Sequence, residues 1–240
     1  MLDSRQKQYL DAMGIDLWIR RELELPAETP ELSPQANQVA EVECPVQPLS
    51  LPDVSQLDWA ALRQQVAACQ LCELHQSRTQ TVFGVGNQQA DWLIIGEAPG
   101  ADEDRQGEPF VGRAGQLLNA MLKSVGLARD QVYIANILKC RPPNNRDPRP
   151  EEAASCFGYL QRQIELIQPK LILAVGRIAA QRLLDCNTSL GRLRGKVHQL
   201  EQTGTPVVVT YHPAYLLRSP TEKRKAWEDL LFAKSMTHDG

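Results

Sequence analysis

Apolar residues gather in four short runs along this chain, at 92–96, 131–138, 171–175 and 206–211, each with strand character. Between them, apolar positions recur at helical spacing over 113–125, 150–167 and 177–185, and again over 221–236 after the last run. An earlier segment, 57–69, places Leu57, Ala60, Ala61, Leu62 and Val66 at the same period, with Asp58 near its start as a cap. Strands alternating with helices predict an α/β fold. The expected form is a three-layer α/β/α sandwich around a central four-stranded parallel sheet, with helices on both faces. Right-handed crossovers then bring the carboxyl ends of all four strands to one edge. Pockets of such folds form at that edge.

The strand ends carry the polar residues. The first apolar run stops at Gly96-Glu97-Ala98-Pro99-Gly100, where two glycines and a proline force a tight, rigid backbone path. Four acids and Arg105 follow, then Phe110 alone in a polar stretch, then the helix that begins after Gly112. The second run carries Asn136 and ends in Lys139-Cys140-Arg141-Pro142-Pro143. The third ends in Gly176-Arg177, and the fourth in Thr210-Tyr211-His212-Pro213-Ala214-Tyr215-Leu216-Leu217-Arg218. A Glu, an Asn and a His are thus expected in one crevice.

Each of these residue types has a chemistry that suits such a crevice. The amide of Asn136 offers a donor and an acceptor, the pair that the O4 and N3–H of a pyrimidine require. It is costly inside an apolar strand unless it is paired, and a structural Asn bonded to backbone is the plain alternative. His212 precedes a proline, which holds its backbone extended, and an imidazole there can donate to a developing anion. Phe110 can stack on a base or plug its loop against the core. Leu216 and Leu217 can wedge into a base stack from an exposed loop, and Arg218 beside them can grip a phosphate.

Charge and cysteines change the picture further. The net charge of −3 disguises a split, because residues 1–55 hold ten acids and four bases whereas 56–240 hold nineteen acids and twenty-two bases. The second part can therefore face a polyanion. The sequence divides into an amphipathic peptide (1–24), a Pro-rich acidic linker (25–55) and one folded domain (56–240). No run of 18 apolar residues and no signal-like start occur, so a cytoplasmic protein away from membranes is expected. Among six cysteines, Cys69 and Cys72 form a C-x2-C pair, with Cys140 and Cys156 downstream. Four thiolates suit zinc or an iron–sulfur cluster, and one pair plus two distant singles leans towards a 4Fe-4S cluster.

Residues 57–236 resemble the family 4 uracil-DNA glycosylases, the iron–sulfur type. The matching pieces are Gly96-Glu97-Ala98-Pro99-Gly100, Pro109-Phe110-Val111-Gly112, Asn136 with Lys139-Cys140-Arg141-Pro142-Pro143, and His212-Pro213-Ala214. The resemblance implies a DNA repair enzyme that hydrolyses the N-glycosidic bond of deoxyuridine, in single- or double-stranded DNA, and releases uracil. It implies that Cys69, Cys72, Cys140 and Cys156 ligate a 4Fe-4S cluster of structural role. Glu97 with Gly96 and Ala98 would hold the uracil edge and the attacking water, and Phe110 would stack on the ring. Asn136 would read O4 and N3, and His212 would bond O2 as charge grows there. Glu103 would crowd C5 against the methyl of thymine, Leu216 would be the wedge, and Arg141, Arg146 and Arg149 would meet phosphates. The better-known uracil family has an aspartate where Ala98 stands. Glu97 or a weakly activated water must serve instead.

A related branch traps uracil-DNA covalently through a His-containing insertion. Residues 142–147 contain no His, so trapping is not expected. The competing reading is a non-catalytic iron–sulfur protein that binds uracil-DNA without cutting, against which Glu97, Asn136 and His212 all stand. Residues 9–21 resemble the start of the psi subunit of the bacterial clamp loader. That implies a peptide, 5–21, which docks on a replication partner with Trp18 as anchor. The expected oligomeric state is a monomer.

Overall fold

The computed structural model describes residues 52–238. The amphipathic peptide, and the linker up to residue 51, lie outside the described residues. Packing begins at Val54, which is buried in the same core as Tyr159 and Leu160, two residues ahead of the expected boundary.

One six-stranded sheet organises the domain. Its strands are β1 (Val85–Gly86), β2 (Trp92–Gly96), β3 (Tyr133–Asn136), β4 (Leu171–Val175), β5 (Val197–Gln199) and β6 (Pro206–Thr210), in the order β1-β3-β2-β4-β6-β5. The four central strands are parallel, as the apolar runs predict. The sheet also has an antiparallel strand at each edge, β1 and β5. At two and three residues these are too short to leave a periodic signal.

The helices are α1 (Trp59–Ala67), α2 (Leu74–Ser77), α3 (Ala101–Gln106), α4 (Arg113–Ser124), α5 (Pro150–Ile167), α6 (Arg177–Leu183), α7 (Leu190–Leu193), α8 (Pro213–Arg218) and α9 (Lys223–His238). Strand alternation divides the core in two. Leu93 and Ile95 of β2 face Leu62, Leu160, Ile164 and Ala180 from α1, α5 and α6. Trp92 and Ile94 face Leu118, Leu122 and Leu230 from α4 and α9. Every residue of β2 and β4 is buried, which is why these strands read as continuous apolar runs rather than alternating ones.

Two segments expected as loops are helical. The acidic run after Gly100 forms α3, whose first turn carries Asp102, Glu103 and Asp104 where the helix dipole favours anions. The stretch after His212 forms α8, with Pro213 in its first turn, where a missing N–H costs nothing.

Candidate active site

Register sets the centre of the site. Gly96 at the end of β2 lies opposite Asn136 at the end of β3. A Cβ on Gly96 would sit 2.4 Å from Asn136 Oδ1 and 2.7 Å from the ring of Phe110. Glycine is thus required for the amide and the ring to approach each other at all. Asn136 is buried, and its Oδ1 has no hydrogen-bond partner. An unpaired buried acceptor costs about 1–3 kcal/mol, which an arriving donor recovers. The backbone carbonyl of Asn136 accepts from Lys139 Nζ at 2.9 Å, and Gln163 Oε1 accepts from the same ammonium at 2.7 Å. This fully buried lysine fixes the strand end from below.

Phe110 is held in a strained position. Its φ of 54° lies in the left-handed region that non-glycine residues avoid. Glu103 braces the loop by accepting from the amides of Val111 at 3.0 Å, Gly112 at 3.2 Å and Gly100 at 3.1 Å. Arg129 donates to the carbonyl of Pro109 at 2.6 Å. The buried Phe110 ring lies 5.6 Å from that of His212, tilted by 32°.

His212 caps α8. Its Nδ1 accepts from the amide of Ala214 at 3.1 Å, so the ring proton resides on Nε2. Burial, with Arg218 nearby, drives its pKa down to about 4. A neutral imidazole with a free Nε2–H is therefore the form present at neutral pH. Glu97 moves the other way. Burial, reinforced by Asp147 and opposed by Arg177, pushes its carboxyl up to about 7.

Glu97, Ala98, Glu103, Phe110, Asn136, His212 and Arg218 all line one cavity of about 430 Å³ at the carboxyl edge of the sheet. Gly96 lies beneath it. The cavity also includes residues that the sequence did not single out, chiefly Asn145 and Asp147 from the loop after β3. Asp147 pairs with Arg177 at the start of α6 at 3.1 Å. Its sole sequence signal was a position just beyond Pro142-Pro143.

Several expectations require correction. Leu216 is 1% exposed, packed in the core on the inner side of α8, and cannot enter a base stack. The helical phase turns Tyr215 and Leu217 outward instead. Glu103 keeps its place in the cavity wall, and there its carboxylate also braces the Phe110 loop through three backbone amides. Arg141 donates to Asn145 Oδ1 at 2.8 Å outside the cavity lining, a position that bears on phosphate and not on the base. Arg146, which also lines the cavity, is forked onto buried Glu152, whereas Arg149 is exposed and makes a single surface contact with Glu73 that leaves its guanidinium open to a phosphate.

Cys69, Cys72, Cys140 and Cys156 line a second, much smaller pocket with Arg78, Lys139 and Tyr159. Arg78 donates to Cys140 Sγ at 3.1 Å, and the amide of Lys139 donates to Cys156 Sγ at 3.3 Å. The buried hydroxyl of Tyr159 has no partner. Among the described residues, no three His, Cys, Asp or Glu side chains close around one point as they would around a single ion.

Comparison with known proteins gives a consistent result. Residues 83–231 match the family model described as the Uracil DNA glycosylase superfamily. The chain is 51% identical over 163 residues to the Type-4 uracil-DNA glycosylase of Archaeoglobus fulgidus, covering 65% of this chain and 82% of that protein. It is 44% identical over 176 residues to that of Thermotoga maritima, covering 72% and 91%. Identity to the Type-5 uracil-DNA glycosylase of Pyrobaculum aerophilum is 30% over 148 residues, covering 55% and 64%.

Proposed function

The chain belongs to the uracil-DNA glycosylase superfamily, among the type-4 enzymes, and from that premise we propose how its own residues release uracil from DNA. The reaction is hydrolysis of the N-glycosidic bond of deoxyuridine, leaving an abasic site. The nucleotide must leave the stack to reach the cavity, at a cost of a few kcal/mol that is smallest in single strands and mismatches. The observation that carries the reading is the orphaned Asn136 Oδ1 in a cavity shared with Glu97, Phe110 and His212.

In that cavity the N3–H of uracil donates to Asn136 Oδ1, and the Asn136 amide N–H donates to O4. Cytosine presents an acceptor at N3 and a donor at C4, so it leaves both partners of the buried amide unpaired. Phe110 supports the ring. As the C1′–N1 bond breaks, its electron pair moves onto uracil, and the Nε2–H of His212 bonds O2 where the negative charge develops. Water adds to C1′ of the cationic sugar. Ionised Glu97 orients that water and accepts its proton. Leu217 takes the wedge role, and Arg218 at the mouth meets phosphate.

Cys69, Cys72, Cys140 and Cys156 would hold a 4Fe-4S cluster. The four thiols lining one pocket, the Arg78 guanidinium beside Cys140 and the buried Tyr159 hydroxyl without a hydrogen-bond partner suit an anionic group. Its contribution is to tie the segments around residues 69–72, 140 and 156 together beneath the site. Residues 5–21 serve as a tether to a clamp-loader subunit, a reading that rests on their sequence. Pull-down by that peptide, lost on Trp18→Ala, tests it.

The main test is a fluorescent single-stranded oligonucleotide with one uracil, incubated with the protein and then cleaved by hot alkali. A single product band at the uracil position is expected, with none from matched cytosine or thymine strands. Uracil-DNA that is bound but never converted would favour the non-catalytic reading.

A further inference from the structure

Next to the cavity stands a column of stacked side chains that the reaction above does not use. Arg194 lies over the ring of Tyr211, 4.4 Å from its centroid. Tyr211 in turn stacks on Tyr215, with centroids 5.2 Å apart and planes 19° from parallel. The base of the column is fixed. Arg194 donates to Asp229 at 2.7 and 2.9 Å, with both partners largely buried, and Asp229 also accepts from the hydroxyl of Thr210 at 2.7 Å. The top of the column is open, because Tyr215 is 37% exposed. It also lines the mouth of the cavity with His212 and Arg218.

We infer that Tyr215 is a stacking platform for the nucleobase that flanks the flipped uridine. The inference rests on the proposed function. When one nucleotide enters the cavity, its neighbour loses a stacking partner on that side. An aromatic face at the mouth replaces the partner without regard to sequence, since every base has a π-face. Because Arg194 and Tyr211 already immobilise the ring, little side-chain freedom remains to be lost on binding. The chain path supports this role: Tyr211 directly follows β6 and Tyr215 is the third residue of α8, so the turn through His212 and Pro213 brings the two rings together. The preferred substrate is one whose flanking base is free to move, a single strand rather than a fully paired duplex.

The test uses the full chain and single-stranded oligonucleotides in which 2′-fluoro-2′-deoxyuridine, resistant to hydrolysis, has 2-aminopurine on its 5′ or 3′ side. Binding is followed by anisotropy and stacking by 2-aminopurine fluorescence. Wild-type protein is expected to quench the probe on one side. Tyr215→Ala should abolish that quenching and raise Kd about ten- to a hundredfold. Tyr215→Phe should retain both properties, which also controls for folding. The proposal falls if Tyr215→Ala quenches like wild type, if its Kd stays within about twofold of wild type, or if Tyr215→Phe fails as the alanine variant does. Cleavage of uracil oligonucleotides by wild type without quenching on either side would overturn the platform while leaving the glycosylase reading in place. Absence of both cleavage and binding would remove that reading instead.

Discussion

The cavity at the sheet edge and the cysteine pocket share one piece of chain, residues 136–140, yet they are built on opposite terms. The cavity is roomy and lined by groups whose hydrogen-bonding capacity is left open: Asn136 Oδ1, the Nε2–H of His212, and a carboxyl at Glu97 raised towards neutrality. The cysteine pocket is small, and two of its sulfurs already accept from Arg78 and from the Lys139 amide. Both regions leave a buried polar atom without a partner, Asn136 Oδ1 in one and the Tyr159 hydroxyl in the other, but only the first has room for a base. Lys139 is the hinge between them, bonded to the Asn136 carbonyl on one side and adjacent in sequence to Cys140 on the other. The contrast implies that damage to the cavity should cost rate and spare stability, whereas damage to the cysteine pocket should cost stability first.

The largest effect expected is therefore on rate. His212→Ala removes the donor to O2 and should lower kcat about 10²- to 10³-fold. The melting midpoint should change little, because the ring is a cap on a six-residue helix. Single-turnover cleavage beside a thermal melt tests both halves. A variant that unfolds instead would break the contrast from the cavity side. Cys156→Ser is the opposite probe. On the proposed cluster, loss of one ligand undoes a cross-link among three segments, comparable with loss of a disulfide at about 2–5 kcal/mol. In a domain of this size that lowers Tm by about 10 °C. Bound iron, measured by absorbance and metal analysis, should fall with it, while the fraction that remains folded should still cleave uracil.

Why some of this was legible in the sequence follows from where each signal resides. Asn136 and His212 stood out because a polar side chain closes an apolar run, and parallel topology sends every such end to the same edge. The pairing of Gly96 with Asn136 was implicit once β2 and β3 were neighbours. Which leucine of the pair faces outward was not legible. The choice between Leu216 and Leu217 depends on helical phase, and the stretch reads as a loop until Pro213 is seen to start a helix. The bracing work of Glu103 was not legible, because the three loop amides it accepts from come together only in the fold. Asp147 comes from an irregular loop without periodicity. The edge strands β1 and β5 were invisible because they are held by pairing with β3 and β6, not by a pattern of their own.

A smaller and more diagnostic effect concerns pH. The carboxyl of Glu97 titrates near 7 in the folded chain against 4.5 unfolded. The native state thus binds the proton more tightly, and ionising Glu97 costs stability: the penalty is absent below pH 4.5 and complete above pH 7. With a discount for partial solvent access, it amounts to about 2 kcal/mol. Glu97→Gln should therefore be the more stable protein above pH 7 and equal to wild type near pH 4.5, while losing activity. Wild-type activity should fall on the acid side with a midpoint near 7. His212 does not shape that limb, since it stays neutral down to about 4. An acid limb that persists in the residual activity of Glu97→Gln would assign the titration to another group.

The smallest effect is at the rim, and it separates attraction to DNA from recognition of uracil. Arg218 is exposed at the end of α8, beside Tyr215 and at the cavity mouth. A phosphate contact there adds affinity for any sequence, through released counterions, and carries no information about the base. Arg218→Ala should weaken binding to uracil-containing and uracil-free strands by the same factor, about three- to tenfold at low salt. The slope of log K against log salt should shrink by about one. The ratio of the two affinities should not move, because the proposed mechanism puts discrimination at Asn136. Salt titrations of both strands decide it. If the ratio collapses with Arg218, the rim contributes to base selection, and the division between an attracting mouth and a discriminating floor does not hold.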